Sequence, residues 1–229
     1  MVIPVCREEQ WLATIARAEP WTPPSVDTIV IAPHPDDESL ATGGLIATLV
    51  SRGCEVGIIA VTDGENAYND GQTIGELRRS EQERALEQLG LPLENIHRLG
   101  FPDSDVTAHE GELMETLPPL ISRSNHVIAP WPGDFHPDHE ACGRAAQRVA
   151  RLTENQLTFY LFWTWHRGSP SLLSDLRLLS FEIAPDQQRA KLDAVHCHHS
   201  QLVHPSGLPI LPDELLWPAK QPFEIYLPA

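Results

Sequence analysis

Two short segments place imidazoles beside carboxylates. They are Pro33-His34-Pro35-Asp36-Asp37-Glu38 and Pro130-Trp131-Pro132-Gly133-Asp134-Phe135-His136-Pro137-Asp138-His139. His34 and Asp37 are three residues apart, as are His136 and His139. On the first turn of a helix, side chains at that spacing can reach one point. Two imidazoles and a carboxylate form a borderline set of N/O donors. Zinc accepts three such ligands and keeps a fourth position for water. Spare carboxylates nearby suit proton transfer. A plain structural reading competes with this. Proline fits the first helical position, and acids in the first turn fit the positive end of the helix dipole. Capping explains one such segment well, but it does not explain why imidazoles sit beside the acids twice.

The elements that would carry these segments read as an alternation. Thr28–Ala32 and Val56–Val61 are continuous apolar runs rich in β-branched residues, the pattern of strands buried on both faces. Further strands are expected at Asn95–Phe101, His126–Ala129, Phe159–Trp165, Phe181–Ile183 and Phe223–Leu227. Helices are expected at about Trp11–Ala16, Ser39–Arg52, 75–90, Glu110–Arg123, Pro137–Arg151 and Gln187–His198. Such alternation implies βαβ units and an open, mostly parallel sheet. Both His-Pro-Asp segments then fall at carboxyl ends of strands, where such sheets bind ligands. No repeat or linker divides the chain. Residues 1–229 read as a single domain, with 1–25 as an N-terminal extension.

Composition narrows the partners. The 229 residues are 41% hydrophobic and 21% charged, a soluble globular balance. Acids outnumber bases 32 to 16, for a formal net charge of −16. A surface that acidic repels phosphate backbones, so neither nucleic acid nor an anionic membrane is expected as partner. No signal peptide or membrane span is legible. The four cysteines are scattered without a CxxC, which favours reduced thiols and a cytoplasmic location.

With these residues in view, the chain resembles the PIG-L/LmbE-like family of zinc-dependent N-acetylglucosaminide deacetylases. Ala32-Pro33-His34-Pro35-Asp36-Asp37-Glu38 looks like the family's opening motif, and His136-Pro137-Asp138-His139 like its second. Thr62-Asp63-Gly64-Glu65, Arg78, Glu81, Ala85, Leu89-Gly90, Leu99-Gly100-Phe101-Pro102-Asp103, Lys191, Ala194, His198 and Ser200-Gln201 fit as well. The match spans about residues 27–201. One departure is Pro33, where the family more often has a small residue or histidine. The resemblance implies a Rossmann-like α/β fold, an open and mostly parallel sheet with helices on both faces. It also implies a hydrolase that removes an N-acetyl group from an N-acetylglucosamine-containing small molecule.

On the same resemblance, His34, Asp37 and His139 are the metal ligands. The metal is zinc, and iron(II) suits the same donors. Metal-bound hydroxide would attack the amide carbonyl. Asp36 is the general base, lying beside a ligand without being needed as one. His136, best as an imidazolium, would stabilise the oxyanion. Asp138 resembles the family residue that pairs with it and raises its pKa. Asp134 could do the same, or serve as a helix N-cap. Asp36 and His136 both remain candidates to protonate the leaving amine.

The expected substrate contacts are Arg78, Asp103 and His198. Each has an ordinary alternative: a helix arginine paired with Glu81, a turn residue, and one of several histidines at a helix end. Trp163 and Trp165, two apart on an expected strand, would share one face. That face is a sugar platform or core packing. Three rival readings stand beside deacetylation: a different metal hydrolase, for example on phosphoesters; a non-hydrolytic Rossmann-type ligand-binding module; and a metal-binding relative without turnover. The second lacks a glycine-rich phosphate loop here. A homo-oligomer is compatible with the sequence, which leaves the acceptor on the amino sugar open.

Overall fold

The computed structural model describes residues 4–68, 74–121, 125–203 and 207–229. Its helices are α1 (Glu8–Ile15), α2 (Asp37–Ser51), α3 (Gly75–Gln88), α4 (Glu110–Thr116), α5 (Pro137–Thr153), α6 (Thr164–Arg167), α7 (Pro185–Cys197), α8 (His199–Leu202) and α9 (Trp217–Lys220). Its strands are β1 (Glu19–Pro20), β2 (Thr28–Ala32), β3 (Val56–Ala60), β4 (Ile96–Arg98), β5 (His126–Pro130), β6 (Gln156–Tyr160), β7 (Leu179–Glu182) and β8 (Phe223–Pro228). They form one sheet in the order β1-β7-β8-β6-β5-β2-β3-β4. All neighbours are parallel except β8, which runs antiparallel to β6 and β7.

The three central strands, β2, β3 and β5, are buried along their whole length. Successive residues feed opposite faces, as the pleat requires. Ile29, Ile31, Ile59, Val61, Val127 and Ala129 pack on one face with α1, α4 and α5. Val30, Ala32, Val56, Ile58 and Ile128 pack on the other with α2, α3 and α7. An unbroken apolar run is thus a strand with helices on both sides. Glycines end two of these helices. Gly53 and Gly90, both at φ 78°, follow α2 and α3.

Strand addition reverses at the centre of the sheet. The chain goes outward from β2 to β3 and β4, then returns to pair β5 against the other side of β2. The crevice beyond the carboxyl ends of β2 and β5 is the switch point of the sheet, where such folds bind ligands. Both His-Pro-Asp segments open onto it. Among the described residues no helix is long and apolar enough to cross a membrane.

Three expectations are corrected. The strand expected over Phe159–Trp165 ends at Tyr160, and Thr164–Arg167 is a helical turn. Trp163 and Trp165 therefore do not share a face. Trp165 packs edge-on against Trp11 and Trp217, while Trp163 lies against His136. The helix expected to reach Arg123 stops at Thr116, because Pro118 and Pro119 force a 3₁₀ turn. The rest of that stretch, 122–124, lies outside the described residues. The strand expected over Asn95–Phe101 is only Ile96–Arg98. The N-terminal segment is built into the fold. Trp11 is fully buried, and β1 pairs with β7 at the sheet edge.

The close fit of α5 to the loop after β5 turns on Gly143. A Cβ there would lie 2.4 Å from the Pro130 carbonyl oxygen and 2.9 Å from the Pro132 nitrogen, both backbone atoms. Gly143→Ala should therefore destabilise the chain by about 1–3 kcal/mol. Thermal unfolding checks this, since each kcal/mol is worth roughly 2–4 °C in a chain of this size. An unchanged midpoint would mean that the loop yields at no cost.

Candidate metal centre

The first turns of α2 and α5 face each other across the switch point. The backbone N–H of His34 donates to Asp37 Oδ2 at 2.9 Å, which folds the β2–α2 turn back on itself. Asp37 Oδ2 lies 3.2 Å from His34 Nδ1 and 3.2 Å from His139 Nε2. All three residues are buried, and their donor atoms lie within 4.8 Å of one another. His139 is wholly inaccessible. Its Nδ1 meets Asp134 Oδ2 at 2.9 Å, and its buried Nε2 has no hydrogen-bond partner. A buried imidazole nitrogen left unsatisfied is costly. This one points at a carboxylate oxygen and a second imidazole, a donor set that fits a divalent cation. His34 also belongs to a second group. With His136 and Asp138 it offers donor atoms within 4.8 Å of one another.

Asp36 stands beside the triad, buried, with Oδ2 3.6 Å from Arg78 Nη2. Burial and then the adjacent Asp37 raise its pKa to about 8, against the pull of Arg78. Burial would also raise Asp37, but His139 and His34 hold it far below the usual carboxylate range. Burial likewise opposes charge on His139, yet Asp37 and Asp134 lift its pKa to about 9.

Two assignments around His136 change. The Asp138 carboxylate does not pair with His136. Its Oδ2 faces His34 Nε2 at 3.2 Å and accepts the Ser104 N–H at 2.9 Å, and its Oδ1 accepts the Val106 N–H at 3.2 Å. What reaches His136 is the backbone N–H of Asp138, which donates to Nδ1 at 3.3 Å. That contact assigns the ring proton to Nε2. The pKa of His136 is lowered, not raised. Burial, then His34 and His139, bring it down to about 3. Asp134 serves neither as partner to His136 nor as an N-cap of α5. It accepts from His139, from the N–H groups of Phe162, Trp163 and Thr164, and from the Thr164 hydroxyl. Local spacing gives no sign of this, because its amide donors lie in α6 and the turn before it.

The expected substrate contacts separate. Arg78 is 3% exposed, and Glu81 is not its partner. Its guanidinium donates to Gly64 O at 2.8 Å and Gln201 Oε1 at 2.9 Å, and it closes over Asp36. Gly64, at φ 61°, is required there, since a Cβ would fall 2.0 Å from Arg78 Nη1. Glu81 instead holds Ser200, through its N–H at 2.8 Å and its hydroxyl at 2.6 Å. Asp103 lines the cavity. It lies 3.4 Å from His34 Nε2 and accepts the Asn66 N–H at 2.9 Å. His198 does not line it. It is buried behind α2, with Nε2 3.0 Å from Ser39 Oγ, where the α7–α8 junction turns it inward. The cavity holds about 450 Å³, and its lining includes His34, Asp36, Asp37, Asp103 and His136.

Comparison with known proteins gives the family and the fold. The PIG-L family model, described as GlcNAc-PI de-N-acetylase, matches residues 29–150. The chain is 29% identical over 197 residues to a diacetylchitobiose deacetylase of Thermococcus kodakarensis, covering 76% of this chain and 69% of that one. It is 31% identical over 187 residues to a probable N-acetyl-alpha-D-glucosaminyl L-malate deacetylase 2 of Bacillus subtilis, covering 76% and 82%. The fold is similar to that of the N,N'-diacetylchitobiose deacetylase of Pyrococcus horikoshii, with a TM-score of 0.60, 23% identity, and 78% and 71% of the two chains covered.

An Asp134→Asn substitution should weaken metal binding about 10- to 100-fold, the usual cost of losing a carboxylate behind a ligating histidine. Competition with a chromophoric chelator measures this. Affinity unchanged from the wild type would show that His139 needs no orienting partner.

Proposed function

We propose that this chain, which belongs to the PIG-L family, is a metal-dependent hydrolase that removes the N-acetyl group from an N-acetylglucosamine-containing small molecule. The observation that carries the reading is the unsatisfied Nε2 of His139, set 3.2 Å from Asp37 Oδ2 beside His34. His34, Asp37 and His139 would hold the ion. Zinc fits a set of two nitrogens and one oxygen, and iron(II) fits it as well. When bound, the ion supplies Lewis acidity to the amide carbonyl and activates water.

The remaining steps fall to the chain's own side chains. Asp36 takes a proton from the attacking water. Burial and the neighbouring Asp37 favour its protonated form, so it can return the proton it accepts. Arg78 keeps the Asp36 carboxylate in place and offsets its charge. The proton then passes from Asp36 to the departing amine. His136, held by the Asp138 N–H, directs Nε2–H at the developing oxyanion as a neutral donor. Asp138 holds His34 through its carboxylate, and Asp103 offers an acceptor for sugar hydroxyls at the cavity wall. His198 supports α2 from behind. The whole chain acts as a single unit, with β1 and α1 completing the sheet edge and the core.

Acetate release from a panel of N-acetylglucosaminides tests the reading. Release should stop on chelation and return on adding metal. Asp36→Asn should keep its metal by elemental analysis and lose about 10²–10⁴-fold in kcat. Full turnover in that variant would remove Asp36 from its role. Metal bound with no acetate from any panel member would reject deacetylation of these substrates.

A further inference from the structure

The carboxylate of Glu224 meets α2 at a place where a helix needs no outside acceptor. It stands on β8, buried, and takes four hydrogen bonds. Oε1 accepts the Gly44 N–H at 2.7 Å and Lys191 Nζ at 2.7 Å. Oε2 accepts the Leu45 N–H at 3.0 Å and the Tyr226 hydroxyl at 2.8 Å. Gly44 and Leu45 lie in the middle of α2. In a regular α-helix their N–H groups belong to the carbonyls of Leu40 and Ala41, one turn back. Only the first four N–H groups of a helix lack such a partner, so Glu224 answers no capping need.

The approach is built in from both sides. A Cβ on Gly43 would lie 2.9 Å from Lys191 Cγ, and one on Gly44 would lie 2.5 Å from Ile183 Cδ1. Glycine inside a helix costs stability. A buried lysine–glutamate pair adds little over apolar side chains of the same volume. What the arrangement does supply is a fixed geometry. Peptide N–H groups lie roughly along a helix axis. A carboxylate bonded to two of them holds α2 against sliding along that axis. It also ties α2 to β8, which is paired in register with β6 and β7.

That axial position matters at the start of the same helix. Asp37 opens α2, about two turns before Gly44. Its Oδ2 lies 3.2 Å from a nitrogen of both His34 and His139. His34 is bonded to Asp37 through its own backbone N–H and would follow a slide of α2. His139 belongs to α5, which packs on the opposite face of the sheet, and would not follow. We propose that Glu224, balanced by Lys191, is a positioning residue for the metal centre: it sets α2 along its axis and so sets the reach of Asp37 to His139. Its effect on turnover rests on the deacetylase reading above, while its effect on metal affinity holds whatever bond is hydrolysed.

The test measures metal affinity by chelator competition, and kcat and KM for acetate release at saturating metal, well below the unfolding midpoint. Wild type is compared with three variants. The double variant Glu224→Gln/Lys191→Met removes both charges, so no buried ammonium is left alone. Glu224→Asp keeps the charge and draws it back from α2 by one methylene. Leu227→Ala loosens β8 from its other face, away from α2. The double variant and Glu224→Asp should each bind metal about 10-fold more weakly. Each should also lose about 10-fold in kcat, with KM unchanged. Leu227→Ala should unfold at a lower temperature and keep the affinity and kcat of the wild type. Glu224 variants that fold and match the wild type in both quantities would overturn the proposal. So would a Leu227→Ala that loses as much as they do, since the effect would then be one of general stability. If the double variant did not fold, Glu224→Asp would decide. If the wild type released no acetate, deacetylation would fall and the metal affinities would still decide for or against Glu224. A wild type that bound no metal would remove the centre and the proposal together.

Discussion

One carboxylate oxygen ties the two halves of the centre together. Asp37 Oδ2 accepts from the His34 backbone and lies 3.2 Å from an imidazole nitrogen of both His34 and His139. His34 and Asp37 come from the turn after β2, and His139 from the first turn after β5. These turns meet because β2 and β5 are hydrogen-bonded neighbours in register, Thr28 opposite His126. The pairing in turn depends on uninterrupted apolar strands with helices on both faces. The site is a consequence of the sheet order, and a different neighbour for β2 would leave each His-Pro-Asp segment as a helix cap.

The cost of this arrangement is a concentration of buried acid. Asp36, Asp37, Glu38, Asp103, Asp134 and Asp138 are all less than a tenth exposed. Burying a charge is expensive unless it is paired and hydrogen-bonded. The fold answers with donors that cannot leave. Asp138 takes two backbone N–H groups, one from Ser104, which adopts φ 70° to present it. Asp134 takes three, and Glu38 takes the amide of Gln82. Farther along α2, Glu224 accepts the N–H groups of Gly44 and Leu45 and a hydrogen bond from the buried Lys191 at 2.7 Å. The helix that starts with Asp37 is therefore gripped in its middle as well as at its first turn.

The sequence makes local structure legible and long-range partners illegible. β2, β3 and β5 are readable because a strand buried on both faces needs an unbroken apolar run, and α2 and α3 because a glycine closes each. The two histidine segments are readable because residues three apart on a first turn converge. The stretch Leu161-Phe162-Trp163 is as apolar as a strand, and only the buried Asp134 carboxylate, which takes its N–H groups, turns it into a helix start. The partners of Asp134 and Asp138 follow the same logic. Each lies in the turn that carries His136, yet each serves a different histidine, because register between distant segments decides which face is occupied. Arg78 reads equally as a substrate contact or an exposed helix arginine until α8 delivers Gln201 and the chain delivers Gly64 to cover it.

Asp134 also joins two parts of the site that the chain keeps separate. One carboxylate orients His139 and accepts the first N–H groups of the segment that becomes α6. That segment carries Trp163 and Arg167, which line a wall of the cavity. The backbone of the wall is thus anchored to the same atoms that orient a candidate metal ligand, and shifting it would withdraw hydrogen bonds from a wholly buried charge. Side chains at 163 and 167 are free of this constraint, since they use none of those N–H groups for their own contacts. The side chains of that wall can therefore change, while its backbone path stays bound to the carboxylate that orients His139.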